Sequence, residues 1–183
     1  MISIDAKEVL EKRLASSMGL DKYSRIMRDF NKVNVSSDKD FQREFNGFYI
    51  VRRNAEWRNI YYDLFEKMKT EEAIFSKIIT HLFEKTGNIE ASFSSKMLAT
   101  IYPDRPIWDQ YVIRNLNLKL TGKSKQETLN NAIKLYSDIE NWYHNFLLTD
   151  DAKECIAVFN SALPKYNWVS DLKKVDFFLW SIR

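Results

Sequence analysis

The chain has 183 residues, 45% of them apolar and 29% charged, which is enough for a hydrophobic core without disulfides and too apolar for disorder. It contains four glycines and three prolines. Average usage of roughly 12% would give about 22, so turn-rich sandwiches, barrels and Gly-rich phosphate loops are excluded. A net charge of +3 permits a nucleic-acid partner without demanding one.

Helical periodicity runs along the sequence. Residues 3–17 read as a first helix, with Ser3 as its cap and Val9, Leu10 and Leu14 inward. Residues 21–32 carry Tyr23, Ile26, Met27 and Phe30. After a loop over 31–38, a helix starts near Ser37 with Phe41, Phe45, Phe48 and Tyr49 on one face. Trp57, Tyr61, Leu64 and Phe65 mark the next, and Thr70-Glu71-Glu72 opens another that Gly87 stops. Residues 92–102 form a short helix. Asp104 then caps a helix that begins at Pro106 and runs to about Leu118. Ser124 to Glu127 fits a capping box and opens the longest helix, 125–148. Asp150-Asp151 and Ser170-Asp171 open the last two, the final one carrying Leu172, Val175, Phe178, Leu179 and Ile182. No segment alternates with period two, so no strand longer than three residues is expected. The whole of 1–183 reads as one all-α domain of about eight to ten helices, with room for two lobes around a cleft near residues 87–115.

The reactive side chains are few. Cys155 is the only cysteine, and with His81 and His144 it cannot build a Cys/His zinc site, although carboxylates alone leave a metal site open; no metal and no cofactor are expected. No P-loop, G-x-S-x-G or H-E-x-x-H motif is present. Cys155 and both histidines lie within amphipathic helices, where core or surface roles are the plainer reading. The N-terminal stretch is charged from residue 5 onward, and no stretch approaches 18 uncharged apolar residues. A cytoplasmic protein with no membrane partner is therefore expected.

One segment stands apart: Ser92–Leu116, SFSSKMLATIYPDRPIWDQYVIRNL. Within it, Pro106-Ile107-Trp108-Asp109-Gln110-Tyr111-Val112-Ile113-Arg114 resembles the helix–hairpin–helix DNA glycosylase superfamily, in which a loop leads through a Pro or hydrophobic residue to an Asp at the start of a helix. Phe45-Asn46-Gly47-Phe48-Tyr49 with Arg52-Arg53 looks like that superfamily's early core helix. The resemblance spans about residues 40–120, and its specific part is some ten residues long.

The resemblance implies an all-helical fold that binds duplex DNA and cleaves an N-glycosidic bond as a monofunctional glycosylase, with Asp109 as the charged catalyst. A carboxylate near the anomeric carbon stabilises the positive charge that develops there. Ser92, Ser95, Lys96, Arg105, Arg114, Arg52 and Arg53 are the expected nucleic-acid contacts. The chain departs from the family in one place: its hairpin is typically G-x-G, and residues 88–95 contain no glycine. The lysine nucleophile of bifunctional members aligns near Ser92, with Lys96 one helical turn later. Plainer readings stand beside these. An Asp in a helix's first turn after a proline is ordinary helix-start chemistry. Basic residues are often a solvated face, and Arg52-Arg53 with Asn54 and Trp57 could form a structural network. The alternative function is a catalytically silent helical module that binds nucleic acid or protein. Lys173-Lys174 lie beside apolar positions and single out no ligand.

Overall fold

Short side chains set many of the helix boundaries. Asp38 accepts from the Phe41 N–H at 2.8 Å, Asn54 from Trp57 at 2.9 Å, Ser124 from Glu127 at 3.1 Å and Thr149 from Ala152 at 3.3 Å. Each satisfies a donor that a helix start leaves open, an effect of about 1 kcal/mol apiece. The computed structural model describes residues 4–13 and 19–181. Among them lie ten α-helices and no strand: α1 (Ala6–Arg13), α2 (Leu20–Phe30), α3 (Lys39–Tyr49), α4 (Ala55–Lys67), α5 (Phe75–Thr86), α6 (Ala91–Ile101), α7 (Gln110–Asn115), α8 (Lys125–Leu147), α9 (Asp150–Ala162) and α10 (Asp171–Ser181). A single 3₁₀ turn, Pro164–Tyr166, joins α9 to α10. The expected positions of Ser3, Leu14 and Ile182 lie outside the described residues.

Gly87 ends α5 in the left-handed region (φ 69°), as a glycine stop should. Asp150-Asp151 opens α9 as expected, with Thr149 as its cap. Two boundaries differ from expectation. Thr70 does not open α5; its hydroxyl donates to the Lys67 carbonyl and finishes the turn after α4. Pro106 does not begin a helix capped by Asp104. Residues 106–109 run without helical structure, and Asp109 is itself the cap of the short α7.

The core forms two clusters. The larger holds a nest of aromatic rings from α3 and α4, including Phe45 and Phe65 at 5.4 Å and Tyr61 and Phe65 at 5.8 Å. The smaller gathers Leu10, Tyr23, Cys155, Phe159 and Phe178 from α1, α2, α9 and α10. Every residue of α10 from Leu172 to Leu179 is buried. Leu172, Val175 and Leu179 join the larger cluster, Phe177 and Phe178 the smaller. A helix buried all round must carry any polar group it has into the interior, and this one carries Lys173, Lys174 and Asp176.

Phe45, Met97, Leu98, Ile107 and Val112 are buried as their spacing implies. Phe48 and Phe93 are only partly so. Phe48 borders a cavity. The Phe93 ring lies beneath two cations, the Lys96 ammonium nitrogen at 5.0 Å and the Arg53 guanidinium at 5.4 Å.

Candidate functional site

The segment before α7 is held from three helices. The Ser95 hydroxyl of α6 accepts from the Trp108 N–H and donates to the Ser92 carbonyl, both at 2.9 Å. The Tyr136 hydroxyl of α8 donates to the Pro106 carbonyl at 2.8 Å. Ser170, at the start of α10, donates to the Pro103 carbonyl at 2.8 Å. These bonds fix residues 103–108 in a non-helical course and deliver Asp109 to the head of α7. There its carboxylate accepts from the Tyr111 N–H at 2.8 Å. On the far side of α7, the Asn115 amide donates to the Leu179 carbonyl at 3.1 Å and ties α7 to α10.

Asp109 also faces a cavity of about 1080 Å³. Ser92 and Lys96 of α6 line it, four residues apart on one helical face. Arg114 of α7, Lys22 of α2 and Lys119 add positive charge, and Lys173 with Asp176 enters from α10. Five cationic side chains thus meet two carboxylates, with Phe177 and Trp180 as aromatic walls. That balance suits an anionic ligand bearing a planar ring.

Two lysines look into this space. The Lys96 amine donates to the Tyr49 carbonyl at 3.4 Å and lies over the Tyr49 ring at 5.7 Å. Burial pushes its pKa below the usual lysine range; Asp109 opposes that push and Lys173 reinforces it. Lys173 is almost wholly buried and ion-paired with Asp176 at 2.7 Å. The other Asp176 oxygen accepts from the Tyr143 hydroxyl at 2.9 Å, so the carboxylate is bonded on both sides. The Lys173 nitrogen also sits 5.6 Å from the Tyr23 and Phe177 rings.

Four of the eight residues expected from the sequence therefore share one cavity: Ser92, Lys96, Asp109 and Arg114. The other four do not line it. Ser95 is fully buried and occupied by the Trp108 and Ser92 backbone, which closes it to a phosphate. Arg53 pairs with the buried Glu90 at 2.8 Å, Glu90 accepts from the Trp57 indole N–H at 3.0 Å, and the guanidinium covers the Trp57 ring at 5.5 Å. This is the structural network that its neighbours Asn54 and Trp57 suggested. Arg52 is exposed. Arg105 pairs with Glu140 at 2.8 Å beside a separate cleft of about 180 Å³ between α5 and α8.

The α5–α6 connection is the four-residue stretch Gly87 to Glu90, and Lys125 donates to the Gly87 carbonyl at 2.9 Å. Gly87 is the one glycine there, consistent with the missing G-x-G. Cys155 is buried, and its thiol is pushed up to about 11, mainly by burial, which leaves little thiolate at neutral pH. No group of three or more His, Cys, Asp or Glu that could hold a metal occurs among the described residues. Nor is any helix among them long and apolar enough to cross a membrane.

Sequence reasoning missed Lys173, Asp176 and Ile50. Ile50 caps α3 in the left-handed region (φ 55°) and is 58% exposed at the cavity. Four described residues have positive φ, and three of them, Gly19, Ile50 and Asn117, line this cavity. A β-branched residue there costs about 1–2 kcal/mol, and such strain gathers at functional sites. No sequence signal marks Ile50. A hint for α10 exists in its lysines, which sit among apolar residues on every side.

No protein-family model, curated protein or solved structure matches the chain.

Proposed function

We propose that this chain is a base-excision protein of the helix–hairpin–helix glycosylase type. Its cavity receives a nucleotide extruded from duplex DNA, and Asp109 stabilises the positive charge that grows on the sugar as the N-glycosidic bond breaks. One observation carries this reading. Residues picked out by a ten-residue resemblance, Asp109 and Arg114, converge with Lys96 and Ser92 on a single cationic cavity of about 1080 Å³. That volume accommodates a nucleotide with its phosphates, and the surplus of lysine and arginine favours the backbone charge. Lys96 supplies an amine in the same space, on the helical face that also bears Ser92. Bifunctional members of that superfamily carry a lysine that attacks the sugar carbon as the base departs; this chain has Ser92 near that position, and Lys96, one helical turn later, is the amine we propose for the role.

The test is base release from duplex oligonucleotides carrying a panel of damaged bases. Asp109→Asn should keep DNA binding and lower release at least a hundredfold, roughly 2.7 kcal/mol of transition-state stabilisation. Borohydride should trap a covalent adduct in the wild type and fail to do so in Lys96→Met. Binding should weaken with salt, and Arg114→Ala should reduce the slope by about one.

A second reading rests on the hydrogen bond from the Tyr111 N–H to Asp109. If Asp109 serves only as the α7 cap, Asn replaces it with little change, since both are good caps. No release by the wild type from any substrate selects a silent DNA-binding relative, while equal release by wild type and Asp109→Asn removes Asp109 from the mechanism.

A further inference from the structure

One stripe of α10 faces the cavity. Lys173, Asp176, Phe177 and Trp180 line it at i, i+3, i+4 and i+7, the spacing of a single helical face. The cleavage chemistry uses none of the four. We propose that this stripe reads the base: the Phe177 and Trp180 rings take its face, and the Lys173–Asp176 pair selects bases that carry a carbonyl beside a ring N–H, the lactam edge of uracil and hypoxanthine. This rests on the reading that the cavity receives a nucleotide, and it names the class of base.

The pair fixes polarity. The Lys173 ammonium only donates and the Asp176 carboxylate only accepts. They are bonded at 2.7 Å, so a donor and an acceptor stand side by side. Neither is free to turn away: the Tyr143 hydroxyl donates to Asp176 at 2.9 Å, and the Lys173 nitrogen sits 5.6 Å from the Tyr23 and Phe177 rings. Neither is saturated. Lys173 spends one of its three donors on Asp176, and each carboxylate oxygen, with one partner, keeps a second lone pair. Both side chains are less than a tenth exposed, so a base that fails to match them leaves a desolvated group unbonded. A lactam matches, its carbonyl accepting from Lys173 and its N–H donating to Asp176. Cytosine and adenine carry the reverse edge, an amino group beside a ring-nitrogen acceptor, which sets donor against donor and lone pair against carboxylate. Ser92 and Gln110 also line the cavity, but a hydroxyl and an amide can turn to suit either edge. Lys22, Arg114 and Lys119 suit phosphates and fix no base polarity. Uracil and hypoxanthine are the deamination products of cytosine and adenine, so among damaged bases the stripe selects the deaminated ones.

The test is calorimetric titration of the full chain with four 2′-deoxynucleoside 5′-monophosphates, dUMP against dCMP and dIMP against dAMP. Within each pair the sugar and phosphate are identical, so the ratio of affinities reports the base edge alone. The wild type should prefer dUMP and dIMP by about 5- to 150-fold, the range for one good bidentate contact. Lys173→Met/Asp176→Leu replaces the buried pair with apolar side chains and should lose both preferences. Asp176→Asn is the isosteric second variant; its amide can offer a donor to a ring nitrogen, and both preferences should shrink. Lys174→Met, on the same helix but paired with Asp171 away from the cavity, should keep them. Equal affinities within each wild-type pair, a preference for the amino bases, no saturable binding of any of the four, or preferences unmoved in the folded variants overturns the proposal. Base release is read separately. A protein that prefers dUMP and releases nothing from DNA keeps this inference and loses the catalytic reading, and release without any preference does the reverse.

Discussion

Lys96 on α6 and Lys173 on α10 face one cavity and are held in different ways. Lys173 is bonded to a carboxylate that is itself bonded to a tyrosine, so its position is held from two sides. Lys96 leans on a carbonyl and two aromatic faces, and burial lowers its pKa. The difference shows how one interior handles two cations. The fold gives the first a carboxylate partner and leaves the second with a carbonyl and two ring faces.

The strongest way to break the contrast is to unpair the fixed side. Lys173→Ala strands Asp176 in the interior and should cost about 3–5 kcal/mol in chemical denaturation. The cost should fall well below that range when Asp176→Leu is added, since a buried pair exchanged for apolar residues is often neutral. Tyr143→Phe removes one of two bonds to Asp176 and should cost about 1.5–3 kcal/mol, less than loss of the lysine. Lys96→Met should act with the opposite sign. The Lys96 pKa is lowered in the folded chain, so the unfolded chain binds the extra proton and stability rises as pH climbs from the lowered value toward 10.5. Lys96→Met removes that burden. It should therefore stabilise the protein at neutral pH, and its advantage should shrink as pH approaches 10.5. A Lys96→Met variant destabilised at pH 7 would show that the lysine is compensated after all. Smallest of all is Arg105→Ala. It breaks a half-exposed pair with Glu140 and should cost under about 1 kcal/mol, with no effect on DNA binding.

What the sequence made legible was local. Gly87 and Ser124 act within four residues of themselves, and the helices they bound lie close to where the residue pattern puts them. Asp109 was legible as a residue of interest and, in the plainer reading, as part of a helix start, but the helix was expected to begin earlier, at Pro106. Proline suits a helix start, yet Pro106 disfavours helix at Arg105, and the distant hydroxyls of Ser95, Tyr136 and Ser170 bond the segment in its non-helical course. Lys173 and Asp176 were hidden for the same reason. Their i, i+3 spacing reads as an ordinary surface pair. Their burial is decided by packing around α10, with elements more than a hundred residues away in sequence. Ile50 gave no signal at all, since its left-handed backbone follows from the course of the chain between α3 and α4.

The dense burial of α10 also governs when the site exists. A ribosome delivers α6 and α7 long before it delivers α10, and at roughly 5–20 residues per second the interval is several seconds. Through that time the nascent chain carries Asp109 and Lys96 on an unfinished wall, with the apolar surfaces that will grip Leu172, Phe178 and Leu179 open to other binders. Only with α10 in place are both clusters and the cavity wall complete.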